Sequence, residues 1–494
     1  MSDLKQASAR GVAWNLAQNL VGRLLGLVVV AILGRILEQA AFGALAIGLA
    51  VTSFAEILTT QGYNEFIAQR PELTDDHLDT AFWLNAAIGV VLTVVIIACA
   101  DLFASWLDAP GVGPILRWLA LSVLIRSLSV VPTGLMVRQL RFRALSLRSL
   151  TSGLIAGAAG VTAALSGLGL WALVVQVLVG EVVSAATLWI AVDWRPGRRF
   201  SMVSLRDLAQ FGVPVLGAAM LWFASRRLDA VIVGTLGLTI LGSYTMGQRV
   251  FHIANQVLNK SGDTVALSAL SRLIGDPDAR REAFYKFVEM TAVLYFPIYA
   301  ALALLAEPFV LVVFGDKWIS SAAVLTVFAI SGVPVSLSYL HASALKSAGR
   351  TRSFLLVHVV MASIYLPLLL IVLDRGVIAA AGAYLVSAVV ILPVEILLVR
   401  EAIGIHPGRY LRRLITPLLA TLLMSGVTYA ALHYTGDLLP IAQLAIGGAV
   451  GVVAYVVALR AIAPTMLHRV IDLVRTTVRK KTGKAAPAPS EPAL

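Results

Sequence analysis

Apolar segments of about 20 residues recur along the whole of this 494-residue chain, and they limit its fold more than any other feature. A helix of that length crosses the hydrocarbon core of a bilayer. Inside lipid every backbone N–H and C=O needs a partner within the protein, so a long apolar segment is expected to be a helix. The chain is 59% hydrophobic and only 13% charged, which is unlike a soluble protein. We therefore expect an all-α integral membrane protein without a separate soluble domain.

The hydrophobic segments predict about 14 transmembrane helices. They lie at 11–35, 42–68, 79–107, 113–137, 144–167, 169–192, 207–235, 239–266, 282–314, 319–346, 353–375, 377–401, 409–434 and 439–461. We group them into an N-terminal six-helix lobe (1–192), a cytoplasmic linker (193–206), a C-terminal six-helix lobe (207–401), two additional helices (409–461) and a basic amphipathic, then disordered, tail (464–494).

Basic residues are concentrated in alternate loops between the predicted spans. One set of loops contains many arginines, such as Arg138, Arg141, Arg195, Arg198, Arg280, Arg350 and Arg412, whereas the other set has little beyond Arg35, Lys317 and Arg375. The positive-inside rule then places both termini in the cytoplasm and explains the net charge of +12 without a nucleic-acid partner. The single cysteine, Cys99, supports neither a disulfide nor a thiolate metal site. We expect no metal and no cofactor.

The segment from Phe211 to Asp263 combines long apolar runs with interior charges. Arg226 and Asp229 lie in its first helix, and a polar face follows the second helix at helical spacing through Arg249, His252, Gln256, Lys260 and Asp263. A charge at the bilayer midplane costs roughly 3 kcal/mol. These side chains are therefore expected to face protein or a water-filled cavity, as the wall of a transport pathway. For Arg226 and Asp229 an internal ion pair between helices is the alternative.

An internal repeat relates the two halves of the chain. The sequence Ala31-Ile32-Leu33-Gly34 is echoed by Val231-Ile232-Val233-Gly234, and each leads through a turn to a glycine, Gly43 or Gly242, that opens the next span. The offset is six spans, so both halves point the same way and a pseudo-twofold axis along the membrane normal is predicted. Asn15, Asn19 and Arg23 give the first span a polar face like that of the seventh.

Three further charges lie within predicted spans: Glu56, Arg126 and Glu181. Intramembrane carboxylates are candidates for binding a proton or cation that drives transport. The ion-coupling candidates are Glu56, Glu181, Asp229 and Asp263. For Glu56 a structural pair with Arg23 or Arg126 is an equally good reading.

Several short motifs resemble one transporter family when taken in order. They are residues 32–43 of the first hairpin, Gly167 to Leu173 leading to Trp194-Arg195-Pro196, Phe211-Gly212 leading to Asp229 and Gly234, Gly315-Asp316-Lys317-Trp318, and Ser347-Ala348-Gly349-Arg350. The chain thereby resembles the Wzx-type polysaccharide flippases, the polysaccharide transport branch of the multidrug/oligosaccharidyl-lipid/polysaccharide exporter superfamily.

This resemblance implies a transporter and not an enzyme. It implies that an undecaprenyl-pyrophosphate-linked oligosaccharide moves from the cytoplasmic to the periplasmic leaflet of a bacterial inner membrane, for synthesis and export of exopolysaccharide or O-antigen-type polysaccharide. It also implies a V-shaped alternating-access fold, with a polysaccharide polymerase and export machinery as partners besides membrane lipids. Related flippases line their cavity with arginines on the first and eighth spans, which correspond to Arg23 and Arg249.

The residue chemistry suits such a substrate. A diphosphate needs cations and sugar hydroxyls need amides if both are to leave water. The candidate cations are Arg23, Arg126, Arg226, Arg249 and Lys260, and the candidate amides are Asn15, Asn19, Gln248, Asn255, Gln256 and Asn259. His252 lies on the same face.

Two other functions remain open. A multidrug or lipid II exporter would have the same architecture, although an exporter of organic cations favours an acidic, aromatic cavity and this one is mostly basic. A membrane polysaccharide polymerase belongs to a different class and needs an exposed carboxylate pair. Asp276 and Asp278 come nearest, but a solvated turn at Gly275-Asp276-Pro277 explains them better. No phosphate-binding loop of the P-loop type occurs in the sequence, so ATP hydrolysis is not expected.

Overall fold

The structure is a computed structural model that describes residues 22, 25–60, 62–70, 72–464 and 466. Side chains are described in these ranges except at 65, 142, 211, 213–215, 217, 218, 221, 222, 224–227, 260–262 and 264. Every regular element in the described ranges is helical, and these ranges contain no β-strand. The predicted all-α class is confirmed.

The described helices are α1 (Leu25–Ile36), α2 (Gln39–Thr60), α3 (Tyr63–Gln69), α4 (Asp75–Trp106), α5 (Val112–Ser127), α6 (Val130–Arg138), α7 (Phe142–Leu165), α8 (Trp171–Ala191), α9 (Met202–Gly234), α10 (Leu238–Arg272), α11 (Pro277–Leu304), α12 (Ala306–Val313), α13 (Ile319–Ser347), α14 (Thr351–Val372), α15 (Val377–Ile403), α16 (Pro407–Tyr434) and α17 (Pro440–Ile462). Short 3₁₀ turns at Asp316–Trp318 and Leu373–Arg375 precede α13 and α15. Each predicted span from residue 42 onward has a helix at its position.

Among the described residues, ten helices are long and apolar enough to cross a membrane, and the bent pair of α5 and α6 makes an eleventh candidate. The two long helices with charged interiors, α9 (33 residues) and α10 (35 residues), are not among them. The chain is therefore a multi-pass membrane protein, while the total of fourteen crossings stays a prediction.

Large apolar side chains cover the outside of several helices. On α4, Val90, Val91, Val94 and Val95 are each about half exposed, and their spacing places them along one side of the helix. Small or polar residues of the same helix, including Thr93 and Ala100, are buried. This inverts the usual pattern of a soluble helix and is expected where lipid surrounds the protein.

Three predicted spans are interrupted. The segment predicted as one span at 42–68 is divided by Gly62, whose φ of 87° lies in the left-handed region that glycine tolerates. The segment at 113–137 is two helices, with a 40° bend between Ser127 and Val130. The segment at 282–314 is also two helices, because α11 ends at Leu304 and α12 begins at Ala306.

Gly43 and Gly242, the two glycines related by the internal repeat, lie where α2 and α10 come into close contact. A Cβ atom added at Gly43 would overlap the backbone oxygen of Leu238, and one added at Gly242 would overlap that of Gln39. Gln39 and Leu238 each lie four residues before the glycine of their own half. The contact is therefore reciprocal, as a twofold axis between α2 and α10 requires.

The same reciprocity extends along the two hairpins. A Cβ atom at Gly34 would lie 3.7 Å from the side chain of Met246, and one at Gly234 would lie 3.3 Å from Ile47. Met246 and Ile47 each lie four residues after Gly242 and Gly43. These matched contacts give the predicted pseudo-twofold relation a geometric basis.

Trp318, from the Gly-Asp-Lys-Trp motif, is buried against the first hairpin. Its indole Nε1 donates to the carbonyl of Gly34 at 2.7 Å, and its ring meets Phe42 edge-on with centroids 5.2 Å apart. Arg35 donates to the carbonyl of Val313, at the C-terminal end of α12, at 3.1 Å. A cation there suits the partial negative charge of the helix end. The motif therefore fixes the turn between α1 and α2.

The predicted linker at 193–206 is held against the start of α4. The buried carboxylate of Asp79 accepts from the amide of Gly197 at 2.9 Å, and Trp83 donates to the Gly197 carbonyl at 2.8 Å. The hydroxyl of Thr80 accepts from the amide of Ser201 at 3.0 Å. These bonds fix the chain just before α9 begins.

Packing divides the described chain into two compact units. The first contains the described parts of Met1–Val257, Val310–Phe328 and Leu355–Ile391. The second contains those of Leu258–Phe309, Ala329–Phe354 and Leu392–Leu494. The division into lobes at 1–192 and 207–401 and an additional helix pair at 409–461 stays a prediction.

Candidate functional site

One face of α10 is accessible in the first unit. Arg249 and Gln256 are exposed and His252 is half-buried, whereas Val250, Phe251 and Asn255 between them are buried. The spacing of three and four residues puts the accessible set on one side of the helix. Arg249 forms no ion pair with any carboxylate that the structure describes. Among the described residues, Arg249 is thus an exposed guanidinium without an ion-pair partner, in the middle of a long helix.

Two of the amides predicted to contact sugar are buried in this structure. Asn255 and Asn259 are each 2% exposed, and Asn259 donates to the hydroxyl of Tyr299 at 3.0 Å. Gln256 is the amide of this set on the accessible face.

Several predicted pathway residues lie outside the described part of the chain. They are Asn15, Asn19 and Arg23, together with the side chains of Arg226 and Lys260. The alternative ion pair between Arg226 and Asp229 is untested for the same reason.

Arg126 is bound by two carboxylates in the first unit. Its guanidinium contacts Glu56 of α2 and Glu181 of α8, the latter at 2.5 Å. Arg126 belongs to the last turn of α5, just before the bend into α6. The pairing of Glu56 with Arg126, left open by the sequence, is present. A role of this cluster in binding substrate or an ion stays a prediction.

Arg148 of α7 extends this cluster and was not identified from the sequence. Its Nε donates to the hydroxyl of Ser184 at 2.7 Å, and an Nη donates to Thr133 at 3.2 Å. Arg148 lies among predicted cytoplasmic-loop arginines at the start of a span, so nothing in the sequence distinguished it from them.

Asp229 is buried in the first unit, and the described partners that form a cage around it are all neutral donors. One carboxylate oxygen accepts from Gln248 at 2.7 Å, from the hydroxyl of Tyr244 at 3.1 Å and from that of Tyr365 at 3.3 Å. The other accepts from the amide of Ala230 at 2.8 Å. Neutral donors satisfy the oxygens without cancelling a negative charge. Uptake of a proton or small cation at this carboxylate would therefore change the net charge of a buried site.

The tyrosines of the cage were missed by the sequence analysis. Tyr244 lies four residues before Gln248 on α10, and this spacing was a usable signal. Tyr365 lies on α14, 136 residues from Asp229, where no local pattern relates the two.

Asp263, in the second unit, has a hydroxyl partner. Ser343 of α13 donates to its carboxylate, and the same hydroxyl lies 3.3 Å from the Asp263 carbonyl oxygen. Asp263 therefore joins α10 to α13.

The carboxylate pair considered for a polymerase is structural. The side chain of Asp276 accepts from the amide of Ala279 at 3.0 Å and caps the start of α11, and Asp278 pairs with Arg281. The solvated-turn interpretation of this segment agrees with the geometry.

The fold of this chain is similar to that of a transporter whose structure has been solved. The chain superposes on the lipid II flippase MurJ in its inward closed conformation with a TM-score of 0.76, over 91% of this chain and 99% of that one, at 12% identity. A likeness at that identity establishes the transporter fold alone.

Sequence comparison identifies curated relatives along nearly the full length. The succinoglycan biosynthesis transport protein ExoT of Rhizobium meliloti is 27% identical over 487 residues, covering 97% of each chain. The lipopolysaccharide biosynthesis protein WzxC of Escherichia coli is 25% identical over 444 residues, covering 86% of this chain and 88% of that one. These names agree with the resemblance seen in the motifs.

A family model described as "polysaccharide biosynthesis protein" matches residues 32–323. The matched region begins in the first hairpin, passes through the Asp229 cage and the face of Arg249, and ends just after Trp318. Because the match takes in more than half of the 494 residues, the chain belongs to the family of polysaccharide biosynthesis proteins.

Proposed function

We propose that this protein flips an undecaprenyl-pyrophosphate-linked oligosaccharide from the cytoplasmic to the periplasmic leaflet of a bacterial inner membrane. Family membership, the names of the relatives and the multi-pass helical fold support this function. The transported repeat unit then becomes available to a polysaccharide polymerase and export machinery. The chain acts as a transporter and carries out no covalent step.

The observation that carries the proposal is the exposure of Arg249, which has no ion-pair partner among the described residues. A pyrophosphate is the most strongly hydrated part of the substrate, and its passage requires positive donors in place of water. Arg126 is already bound by two carboxylates, but Arg249 forms no ion pair with a described carboxylate. Arg249 therefore contacts the pyrophosphate, with Arg23, Arg226 and Lys260 as further cations of the pathway.

The polar neighbours of Arg249 on α10 then face the sugars. Gln256 is exposed and offers both a donor and an acceptor, and His252 is half-buried on the same side. Sugar hydroxyls also act as both donors and acceptors. Side chains with both functions can therefore bind glycans whose hydroxyls are arranged differently.

An ion gradient supplies the energy in this proposal. Asp229 is the leading coupling group, because all its described partners are neutral and its charge is open to neutralisation by a proton or cation. Asp263, with its hydroxyl partner, and the Glu56 and Glu181 pair around Arg126 are further candidates. The membrane potential contributes about 2.3 kcal/mol per charge per 100 mV.

The test uses purified protein in proteoliposomes with a fluorescent polyprenyl-pyrophosphate oligosaccharide. The quantity measured is the fraction of lipid that changes leaflet per minute, with and without an ion gradient. Arg249→Ala removes a charge-assisted hydrogen bond of about 1.5–3 kcal/mol, so the rate is expected to fall at least about tenfold. Arg272→Ala, an exposed arginine at the end of the same helix, is the matched control and keeps the wild-type rate.

Three results contradict the proposal. A folded Arg249→Ala protein that flips at the wild-type rate would remove Arg249 from the route. Wild-type protein that moves no lipid-linked oligosaccharide, yet moves lipid II or a cationic dye, would favour the other exporters of this fold. A change in polymer length without accumulation of lipid-linked repeat units in cells would favour the polymerase.

A further inference from the structure

A second group of titratable side chains lies in the second unit and includes none of the residues assigned above. His341 of α13 is held between Glu395 of α15 and Tyr410 of α16. Its Nδ1 lies 2.7 Å from a carboxylate oxygen of Glu395, and its Nε2 lies 3.0 Å from the hydroxyl of Tyr410. The three residues are 1%, 2% and 1% exposed. Three separate helices thus bring an imidazole, a carboxylate and a phenol together in the protein interior.

Two neutral side chains, those of Ser338 and Phe284, also contact the cluster. Ser338, one turn before His341, donates to the same oxygen of Glu395 at 2.9 Å. The ring of Phe284 from α11 lies 6.2 Å from the imidazole and 6.4 Å from the phenol, nearly parallel to the latter. Each imidazole nitrogen therefore has one polar partner, and an aromatic ring covers the rest.

Five charged side chains on α11 and α16 are bound to partners outside the cluster. On α11, Arg280 donates to Ser347 of α13, and Glu282 and Glu289 pair with Arg413 of α16. Arg409 of α16 pairs with Glu282 and lies over the ring of Tyr285. None of these described contacts reaches His341 or Glu395.

The opposite side of α13 carries a further carboxylate contact. Ser343, two residues after His341, donates to Asp263 of α10. Two residues that are two positions apart on an α-helix, such as His341 and Ser343, are separated by about 200° around the helix axis. Therefore α13 lies between a carboxylate from α15 and one from α10. The part of α10 that belongs to the second unit is thereby linked, through α13, to the titratable cluster.

The chemistry of the cluster favours a gain and loss of one proton. Imidazole is the side chain that ordinarily changes its charge near neutral pH. With the proton present, His341 and Glu395 form a neutral pair; without it, an unbalanced carboxylate is left in the interior, which is expensive. Local structure must then respond to whether the proton is bound.

Both helices that supply the pair contain a nearby proline. Pro334 lies one turn before Ser338 in α13, and Pro393 lies two residues before Glu395 in α15. A proline inside a helix removes one backbone hydrogen bond and marks a point where the helix can bend. The pair therefore lies where a change of charge can alter the path of two helices.

We propose that His341, Glu395 and Tyr410 form a proton-binding site whose loading and release accompany the transport cycle. The ligand is a single proton, held between the imidazole and the carboxylate, with the Tyr410 hydroxyl fixing the orientation of the ring. This site is additional to the Asp229 cage and rests on the proposed transport function.

The sequence contained a signal for this site that was not used. His341 and Glu395 are ionisable residues inside predicted spans at 319–346 and 377–401, and such residues mark functional sites in membranes. Their partnership was not visible, because 54 residues separate them.

The first measurement is an NMR titration of ¹⁵N-labelled histidines in the purified full-length protein, with His341 assigned from the signal lost in His341→Gln. The chain has seven histidines, so the spectrum is simple. The titration covers about pH 5 to 8, where histidine side chains ordinarily change their charge. We expect the His341 signals to change with pH in the folded protein, and Glu395→Gln to alter that change, because the carboxylate no longer stabilises the imidazolium. Tyr410→Phe is expected to change the ring tautomer signal and to retain titration.

The second measurement is the pH dependence of lipid flipping in proteoliposomes. Wild-type protein is expected to show a rate that varies across this range, and His341→Gln and Glu395→Gln are expected to flatten the profile. His433→Gln changes an exposed histidine at the far end of α16 and keeps the wild-type profile.

The proposal is overturned if His341 does not titrate in the folded protein, if the wild-type rate is constant with pH, or if both Gln variants keep the wild-type profile while only their melting temperatures fall. That last pattern belongs to a purely structural cluster. Failure of wild-type protein to flip any lipid-linked oligosaccharide would instead contradict the transport function, and the NMR titration would still decide whether the proton site exists.

Discussion

An intramembrane arginine binds an anionic substrate more readily where no carboxylate of the protein already occupies its guanidinium. Arg126 and Arg249 were assigned the same role from the sequence, because both lie inside apolar segments. In the structure Arg126 joins Glu56 and Glu181, whereas Arg249 is exposed and forms no ion pair with a described carboxylate. Sequence predicted where the charges lie, but pairing depends on which helices are neighbours, and no local pattern encodes that.

Removal of Arg126 is expected to affect stability. Arg126→Gln leaves Glu56 and Glu181 facing each other without a cation, and the expected loss is on the order of 2 kcal/mol. This is below the value for a fully buried pair, since these side chains are between 18% and 35% exposed and water screens them in part. Thermal unfolding in detergent measures the change.

The matched control for this prediction replaces all three charges together. The triple variant Glu56→Gln, Arg126→Gln and Glu181→Gln removes the arginine together with both carboxylates that it binds, so it is expected to recover most of the lost stability. Equal melting temperatures for the single variant and wild type would show that the cluster contributes nothing to folding.

The Asp229 cage gives a prediction about coupling. Asp229→Asn retains an acceptor for Tyr244 and Gln248 but removes the ionisable group, so the protein is expected to fold and to lose its response to an ion gradient. The ratio of flipping rates with and without the gradient, measured in proteoliposomes, is expected to fall to about one. Asp374→Asn, at an exposed position, should leave the ratio unchanged. A gradient response of normal size in folded Asp229→Asn protein would exclude this residue as the coupling group.

At the level of helices, the close crossing of α2 and α10 depends on two glycines. A methyl group at Gly43 or Gly242 would overlap backbone atoms of the opposite hairpin, which cannot move aside as a side chain does. Gly43→Ala and Gly242→Ala are each expected to lower stability by about 1–3 kcal/mol, the usual effect of overpacking. The reciprocal geometry further predicts that the two losses are similar. Differential scanning calorimetry or a thermal-shift assay provides the measurement.

Gly382 of α15 is the control for the glycine experiment. No atom lies within 4 Å of a Cβ added there, so Gly382→Ala is expected to be neutral or stabilising by up to about 1 kcal/mol through its higher helix propensity. If Gly43→Ala and Gly242→Ala behave like Gly382→Ala, the crossing is not tight and the axis between the hairpins loses its physical support.

The internal repeat was predicted from the sequence, but the breaks within the helices were not. The paired Ala31–Gly34 and Val231–Gly234 segments predicted the twofold relation, and the reciprocal contacts agree with it. The division at Gly62 had a signal, since glycine tolerates the φ of 87° found there. The 40° bend between Ser127 and Val130 also had a signal, since Pro132 cannot donate a backbone hydrogen bond to the carbonyl of Leu128 and its ring crowds that carbonyl.

For the whole molecule, hydropathy was enough to locate nearly every helix. Beyond residue 42 the predicted spans and the observed helices agree closely, because a lipid-spanning helix needs an uninterrupted apolar segment. The cages and clusters were harder to predict: Asp229 and Tyr365 are 136 residues apart, and His341 and Glu395 are 54 apart. Long-range packing decides which residues become neighbours. A single sequence can therefore identify an ionisable residue as a candidate but cannot identify its partner.

The orientation of the chain in the membrane is the remaining prediction at this scale. Loops containing Arg138, Arg198 and Arg350 are expected in the cytoplasm, and the sparsely charged loops at Lys317 and Arg375 in the periplasm, because basic residues are retained on the cytoplasmic side. Alkaline phosphatase is active only after export, so a fusion after Arg375 is expected to be active and a fusion after Arg350 inactive. Fusions to green fluorescent protein at the same two sites should give the opposite pattern. An active phosphatase after Arg350 would invert the topology, and Arg249 would then receive its substrate from the opposite leaflet.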